Sequence, residues 1–212
     1  MTTLTTMKDR IARELRRSNI TTQIAEAITT AIDAYREHRF FFNESRDTTF
    51  STVAAQEFYD ADDEPDLANL IKIDYCKINV NDSTFDLMPD FPSEIEGAST
   101  NATATGQPGW YVLYNRQIRL YPIPDDVWTV RVAGVFIYAA PATDGETDNF
   151  WMTTAERLIR SRAKAELALH VLRDTELAQI MDLAASEALK QLKRHTNLLT
   201  QRDNGRVRGM DL

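Results

Sequence analysis

The sequence contains few of the residue types from which catalytic and metal sites are usually built. Its 212 residues include one cysteine, Cys76, and three histidines, His38, His170 and His195. A single cysteine excludes an internal disulfide framework and a thiolate metal site. No histidine lies at ligand spacing from another histidine or from the cysteine. Cys76 lies in the strand-like stretch 73–78, which favours a buried structural thiol. We therefore expect no catalytic residues, no metal and no cofactor.

Long apolar runs are also missing. No stretch approaches the roughly 18 residues that a membrane-spanning helix needs, so we expect no membrane partner. The first eight residues, Met1–Lys8, lack the apolar centre of a signal peptide, and we expect synthesis and folding in a cytoplasm. A content of 43% hydrophobic and 26% charged residues indicates an ordinary globular protein with one core or two small ones.

The net charge of −8 is unevenly distributed along the chain. Residues 1–39 carry +2, residues 40–150 carry −13 and residues 151–212 carry +3. So acidic a middle region repels phosphate, whereas duplex-binding proteins present concentrated basic faces. Direct DNA binding by the whole protein is therefore not expected. The charge separation could instead orient the protein in an assembly whose neighbours carry the opposite pattern.

Both ends of the chain show helical periodicity. Apolar residues recur every three or four positions from Ile20 to Arg39, and a shorter helix is predicted over Thr6–Arg17. Two longer helices are predicted after Pro141, with a break at Arg173 and a second stripe that includes Ile180. Their many alanines favour close helix packing. The sequence predicts a helical bundle formed by residues 1–39 and 150–199.

The middle of the chain, residues 40–149, changes to the period of strands. Thr48–Val53, Ile71–Ile78 and Trp128–Val132 are rich in β-branched and aromatic residues. Gly134 interrupts the last run and favours a bulge, and Asn115-Arg116 is placed for a hairpin turn. We expect an α+β fold in which an antiparallel, sandwich-like β region is inserted into the helical bundle. Residues 200–212 have no apolar period and are predicted to form an extended or disordered arm.

Sequence motifs that suggest chemistry do not match their consensus patterns. The acidic stretch from Asp60 to Asp66 opens like a calcium loop, but Pro65 stands where glycine is needed and Ile71 where a bidentate glutamate is needed. Glu94 and Glu96 have the residue types of a glycosidase pair, but acids so close in sequence are ordinary in this acidic region. Strand alternation should bury about half of the aromatic residues between 110 and 138, which favours core packing over a ligand surface.

The order of elements resembles the head-to-tail adaptor (head-completion) proteins of short-tailed bacteriophages, a family that includes the tail tubular A proteins. The resemblance covers roughly residues 5–195. It rests on the helical flanks and on a series of short segments between them: Glu57-Phe-Tyr59-Asp, Ile71–Ile78, Gly106-Gln-Pro-Gly-Trp-Tyr111, Leu120-Tyr-Pro-Ile-Pro-Asp125, Val130-Arg-Val132 and Asn149-Phe-Trp151.

The resemblance implies a structural virion protein, not an enzyme. Members form a ring, usually of twelve copies, beneath the portal protein, provide the platform for the tail nozzle and fibres, and let DNA pass without sequence-specific binding. The protein would then reside at the head–tail junction of the virion after assembly in the host cytoplasm. An arm that orders only on binding would also delay premature ring formation.

The resemblance also implies two sets of contact residues. The basic arm would grip the portal through Arg202, Arg206, Val207, Arg208, Met210 and Leu212. Trp110, Tyr111 and Tyr121 would face the tail or a neighbouring copy in the ring.

Two alternatives remain at this stage. One is another head–tail connector or stopper protein that docks elsewhere in the particle. The other is a carbohydrate-binding or glycan-hydrolysing protein that uses the aromatic sheet and the acidic loops. An adaptor should lose portal binding when residues 200–212 are deleted, whereas a glycan-processing protein should lose activity when Trp110 or Glu94 is replaced.

Overall fold

The structure, a computed structural model, describes residues 2–91 and 104–204. The chain divides into two compact units, one formed by residues 1–42 and 138–212 and the other by residues 43–137. Within the described residues, the first unit contains four α-helices and the second contains seven β-strands.

Local sequence signals set two of the helix boundaries. Thr3 caps the first helix, because its side chain accepts the backbone N–H of Thr6. A π-helical turn at Ala168–Leu172 and left-handed Arg173 separate the last two helices. The helices are α1 (Leu4–Glu14), α2 (Thr21–Tyr35), α3 (Glu156–Leu167) and α4 (Thr175–Asn204).

The core of the helical unit is centred on α3. Its residues Leu158, Ile159 and Ala163 are fully buried, and α3 packs against α1, α2 and α4. The apolar stripe of α2 supplies Ile24 and Ile28 to the same core. On α4 the buried positions are mostly small residues, which permits a close approach to α3: Ala178, Ala185, Ala188, Leu192 and Thr196.

The seven strands of the second unit form one sheet with the order β1-β7-β3-β4-β5-β6-β2. All neighbouring strands are antiparallel except β4 and β5, which are parallel. The strands are β1 (Glu44–Ser51), β2 (Phe58–Tyr59), β3 (Leu70–Val80), β4 (Ser83–Pro89), β5 (Trp110–Tyr114), β6 (Gln117–Tyr121) and β7 (Thr129–Phe136).

The sheet curls so that both of its halves share one core. Phe50 of β1 and Tyr59 of β2 belong to opposite edge strands, yet their rings lie 4.8 Å apart. Leu87, Leu120 and Val132, from three further strands, pack in the same cluster. The result is a half-barrel with one buried face.

The predicted fold class is wrong in two respects. The helices do not form a bundle, and the strands do not form an antiparallel sandwich; the chain is a sheet-rich α+β protein with one curled sheet. In a four-helix bundle each helix borders two neighbours in a closed ring. Here α3 is a hub that the three other helices contact. Sequence periodicity identifies the buried face of a helix but not how many partners cover it.

The sandwich prediction failed because β4 was not recognised. In its sequence, Ser83–Pro89, six positions are exposed and only Leu87 is buried, and the apolar alternation is limited to Phe85-Asp86-Leu87, which is too short to predict a strand. A prediction that omits β4 has no link between the strands before it and the strands after it, and so assigns them to two sheets.

Several local predictions are confirmed. Asn115 and Arg116 both have positive φ, 51° and 64°, and form the two-residue turn that joins β5 to β6. Cys76 is a fully buried strand residue. Burial raises the pKa of its thiol to about 12, so the thiolate does not form at neutral pH.

Gly134 allows three strands to meet closely. The register of β7 shifts against both of its neighbours at this residue, between Ser45 and Thr48 on one side and between Ile73 and Tyr75 on the other. A Cβ at this position would overlap the backbone carbonyl oxygen of Lys72. The predicted irregularity is therefore present at Gly134. The extra residues belong to β1 and β3, and the glycine of β7 lies opposite them.

Replacing Gly134 should test this close approach. Gly134→Ala forces β3 and β7 apart, and we expect a loss of about 3 kcal/mol in the free energy of unfolding. Urea denaturation followed by circular dichroism would measure it. Gly145→Ala is the matched control, because a Cβ there meets no atom within 4 Å. Equal stability of the two variants would contradict the proposed steric constraint.

A small ion network joins α1 to α3. The Glu14 carboxylate accepts a hydrogen bond from Lys164 Nζ at 2.7 Å and pairs also with Arg160. Burial raises the pKa of Glu14, but the hydrogen bond and charge of Lys164 and the charge of Arg160 outweigh it, so the pKa is lowered overall.

The lowered pKa of Glu14 predicts a pH-dependent contribution to stability. The contribution is present above the ordinary glutamate pKa and is lost as the pH falls through the lower folded value. Glu14→Gln should therefore reduce the free energy of unfolding at pH 7 by less than about 1 kcal/mol, and the difference should vanish at acidic pH. Denaturation of both proteins from pH 7 to pH 3 would measure this, with exposed Glu26→Gln as the control. A difference that is constant with pH would refute the assignment.

Candidate functional site

The outward face of the sheet carries a row of large side chains across three strands. Met88 of β4, Trp110 of β5 and Tyr121 of β6 are in register, so their side chains lie on the same face. Met88 is 60% exposed and Trp110 is 44% exposed. The rings of Trp110 and Tyr121 lie 6.3 Å apart.

A fixed cation extends this row toward the edge of the sheet. Phe58 of β2 pairs with Arg119 of β6, and the Arg119 guanidinium lies 5.5 Å from the centre of the Phe58 ring. Arg119 also donates a hydrogen bond to the Glu57 carboxylate, which holds the guanidinium in place. We call the set Met88, Trp110, Tyr121, Phe58 and Arg119 the outer aromatic face.

The outer aromatic face is rigid and partly desolvated, as recognition surfaces often are. Aromatic, methionine and arginine side chains are enriched at protein interfaces, and aromatic rings bury large areas at little entropic cost. The strands β4, β5 and β6 are held by backbone pairing on both sides, so Met88, Trp110 and Tyr121 need little ordering when a partner binds.

The structure brings together two of the three aromatic residues predicted to face a partner. Trp110 and Tyr121 lie side by side on the outer aromatic face. Tyr111 points to the opposite face and is buried in the core of the sheet. Burial raises the pKa of its hydroxyl. Trp110, the preceding residue of β5, points outward because successive side chains of a strand lie on opposite faces.

Sequence reasoning missed Met88 and the Phe58–Arg119 pair. Met88 belongs to the unrecognised strand β4, and β2, which carries Phe58, is only two residues long. β2 is too short to show an alternation and β4 shows only Phe85-Asp86-Leu87, so no local signal places either strand beside Trp110.

The arm residues lie at and beyond the end of α4. The helix continues through Asn204 and so includes Arg202. Arg206, Val207, Arg208, Met210 and Leu212 lie outside the described residues. Glu94 and Glu96 also lie outside them.

The acidic loop after β2 is held by its own hydrogen bonds. Asp60 accepts the backbone N–H of Asp62 and a side-chain hydrogen bond from Gln117, and these lower its pKa. Asp63 accepts hydrogen bonds from the Asp60 backbone N–H and the Gln56 side chain. In the part of the chain that the structure describes, no group of three His, Cys, Asp or Glu residues is arranged to hold a metal ion.

The histidines occupy unrelated positions. The His170 side chain is 68% exposed, with Nε2 3.4 Å from a Glu166 carboxylate oxygen. His195 packs edge-on against Phe41, with ring centres 5.2 Å apart. Among residues 2–91 and 104–204, no helix is long and apolar enough to cross a membrane.

Comparison with known families gives a match that spans almost the whole chain. Residues 2–209 match the family model described as SU10 adaptor protein. A comparison with curated proteins gives no match.

Adjacent residues of β5 should separate the surface role from the core role. Trp110→Ala should change the free energy of unfolding by less than about 1 kcal/mol, because the ring is exposed. Tyr111→Ala should lower it by about 3 kcal/mol or more, because it leaves a cavity in the core. Thermal and urea denaturation of the two variants would measure both. Equal losses would show that Trp110 serves the fold rather than a surface.

Proposed function

The chain belongs to the SU10 adaptor protein family, and on this basis we propose that it forms a ring beneath the portal of a phage capsid and provides the docking platform for the tail. The family match confirms the resemblance to phage head-to-tail adaptors. The chain is therefore a phage structural adaptor protein, and its partners are other head and tail proteins of the phage. The observation that carries the proposal is this match over residues 2–209.

The distribution of charge supports assembly of several copies into a ring. The unit of residues 43–137 has six Lys or Arg residues against sixteen Asp or Glu residues, whereas the helical unit carries a net charge of +2. Copies with one acidic and one basic unit can associate head to tail, and such contacts close into rings when the rotation allows it. We propose twelve copies.

The C-terminal arm is the proposed portal contact. It follows the end of the 30-residue helix α4, which is about 45 Å long at 1.5 Å per residue. Arg206 and Arg208 give the arm a positive charge, and Val207, Met210 and Leu212 supply apolar anchors. A segment that orders on binding can follow a partner surface over a long distance.

The outer aromatic face is the proposed contact with the tail nozzle or the tail fibres. Trp110 and Met88 are exposed on strands rather than on loops, which keeps their geometry fixed before binding. Burial of such residues usually carries most of the affinity of an interface.

The passage of DNA requires a surface that does not retain it. The acidic unit repels phosphate, so DNA would move past the protein without sequence-specific binding. We propose that the protein acts in the virion, at the head–tail junction, after assembly in the host cytoplasm, and that this role involves no catalysis and no cofactor.

Deletion of residues 200–212 should abolish portal binding while the fold persists. The remaining chain keeps the buried positions of α4 up to Thr196, so its circular dichroism and unfolding midpoint should change little. Light scattering of the protein, alone and mixed with the portal ring of the same phage, would measure the mass. The intact protein should form a complex of fixed, ring-sized mass, and the truncated protein should not.

Trp110→Ala is the matched control, since it should retain portal binding and lose only the tail contact. An intact protein that stays monomeric in the presence of the portal would overturn the proposed function. In that case glycan binding and hydrolysis would be the next activities to measure.

A further inference from the structure

The helical unit contains a groove that its own described residues leave open. It lies between the end of α1, the π-helical turn and the start of α4, and its volume is about 450 Å³. Its floor is apolar and only half-buried, and two arginines stand at its rim. We call it the α1–α4 groove; its floor and rim are Leu15, Leu172, Leu177, Met181, Arg16 and Arg17.

The backbone at the end of α1 presents the rim arginines to solvent. Arg16 adopts a left-handed conformation with φ of 53°, and the N–H of Arg17 returns to the carbonyl of Ala12 at 3.0 Å. Helices commonly end in this way with glycine at the left-handed residue. In this chain the left-handed residue is Arg16, which has a long cationic side chain. Backbone hydrogen bonds within the turn hold it in place, and Arg16 and Arg17 project from it.

The lining of the groove has a net charge of +1, from Arg16, Arg17 and Lys164 against Glu14 and Asp174. Lys164 lies in its wall, but Glu14 pairs with Lys164. The Asp174 carboxylate accepts the N–H of Leu177 at 2.9 Å and so caps α4. Among the described residues, Arg16 and Arg17 form no ion pair. A partner for the groove should therefore combine carboxylates with some apolar surface.

The acidic loop that follows β2 has this chemistry. Asp60 and Asp63 are used inside the loop, whereas the Asp62 and Asp66 carboxylates are exposed and accept no hydrogen bond from the described residues. The loop is therefore ordered before binding, with two carboxylates directed to solvent. Ala61 and Pro65, which are exposed within the loop, supply apolar surface.

We propose that the α1–α4 groove binds the acidic loop of a second copy of this chain, and that this contact joins neighbours in the ring. The inference rests on the proposed function and specifies its interface. The loop belongs to one unit of the chain and the groove to the other. Two different, complementary surfaces on one protomer make a head-to-tail contact, which every copy can repeat until the ring closes.

The C-terminal segment is a less suitable occupant. Leu177 and Asn204 are separated by about 40 Å along α4, whereas the eight residues 205–212 extend at most about 28 Å. The segment therefore cannot reach the groove of its own chain. The arm of another copy could reach it, but Arg206 and Arg208 carry the same sign of charge as the rim.

Site-directed cross-linking can test the contact. A variant with both Arg17→Cys and Asp62→Cys is treated with a short bis-maleimide, alone at high concentration and bound to the portal ring. The native Cys76 is buried with a pKa of about 12, so the unaltered protein serves as the unreactive control. We expect a ladder of products up to the size of the ring. An equal mixture of the two single variants should give dimers only, which identifies links between chains.

The results separate the interface from the proposed function. A ladder supports the interface. A protein that binds the portal in a ring-sized complex but gives no inter-chain product overturns the interface and leaves the proposed function standing. A ladder without portal binding supports the interface and overturns portal docking. If neither a ladder nor portal binding is observed, both the interface and the proposed function are overturned.

Charge reversal provides a second test that does not depend on the cross-linker. Arg16→Glu with Arg17→Glu should abolish inter-chain association, and so should Asp62→Lys with Asp66→Lys. The chain that carries all four substitutions should recover it. Lys193→Glu with Arg194→Glu, which are exposed on α4, form the matched control and should leave association unchanged. Failure of the fourfold variant to recover, while each pair remains folded, would contradict the pairing.

Discussion

The parallel pairing of β4 with β5 is the contact on which the β unit depends. Met88 N–H donates to the Gly109 carbonyl at 2.9 Å, and Asp90 N–H donates to the Tyr111 carbonyl at 3.0 Å. These bonds connect the strands β1, β7 and β3, on one side of β4, to the strands β6 and β2, on the far side of β5. They give the sheet one core instead of two, and they place Met88 beside Trp110 on the opposite face. The β4–β5 pairing therefore determines both the core of the sheet and the arrangement of the outer aromatic face.

The sequence was informative wherever structure is determined by neighbours in the chain. The Asn115-Arg116 turn, the buried Cys76 and the stripe of α2 follow from local conformational preference and periodicity. The pairing of β4 with β5 could not be predicted, because it joins segments that no local signal relates. Ile180 shows the same limit in a helix: it continues the apolar stripe of α4, yet it is 51% exposed.

The outer aromatic face could be predicted only in part from the sequence, and the α1–α4 groove could not be predicted. Trp110 and Tyr121 were singled out because the family resemblance implies a contact there, whereas the strand pattern alone favoured core packing. Tyr111 could not be assigned to a face before the register was known, since one residue of slip exchanges the two faces of a strand. The α1–α4 groove had no sequence signal, because its floor comes from three separate segments and its charge depends on which acids are already paired.

The length of α4 gives the helical unit a mechanical property. A helix of about 45 Å acts as a rigid lever, and its first residues meet the turn at Arg173, where the backbone is left-handed. A rotation of about 10° at that turn would displace the far end of the helix by about 8 Å on this geometry. Because α4 packs against α3 through Ala185, Ala188 and Leu192, its direction follows that of α3, and a small tilt of α3 is enlarged at the place where the chain leaves α4.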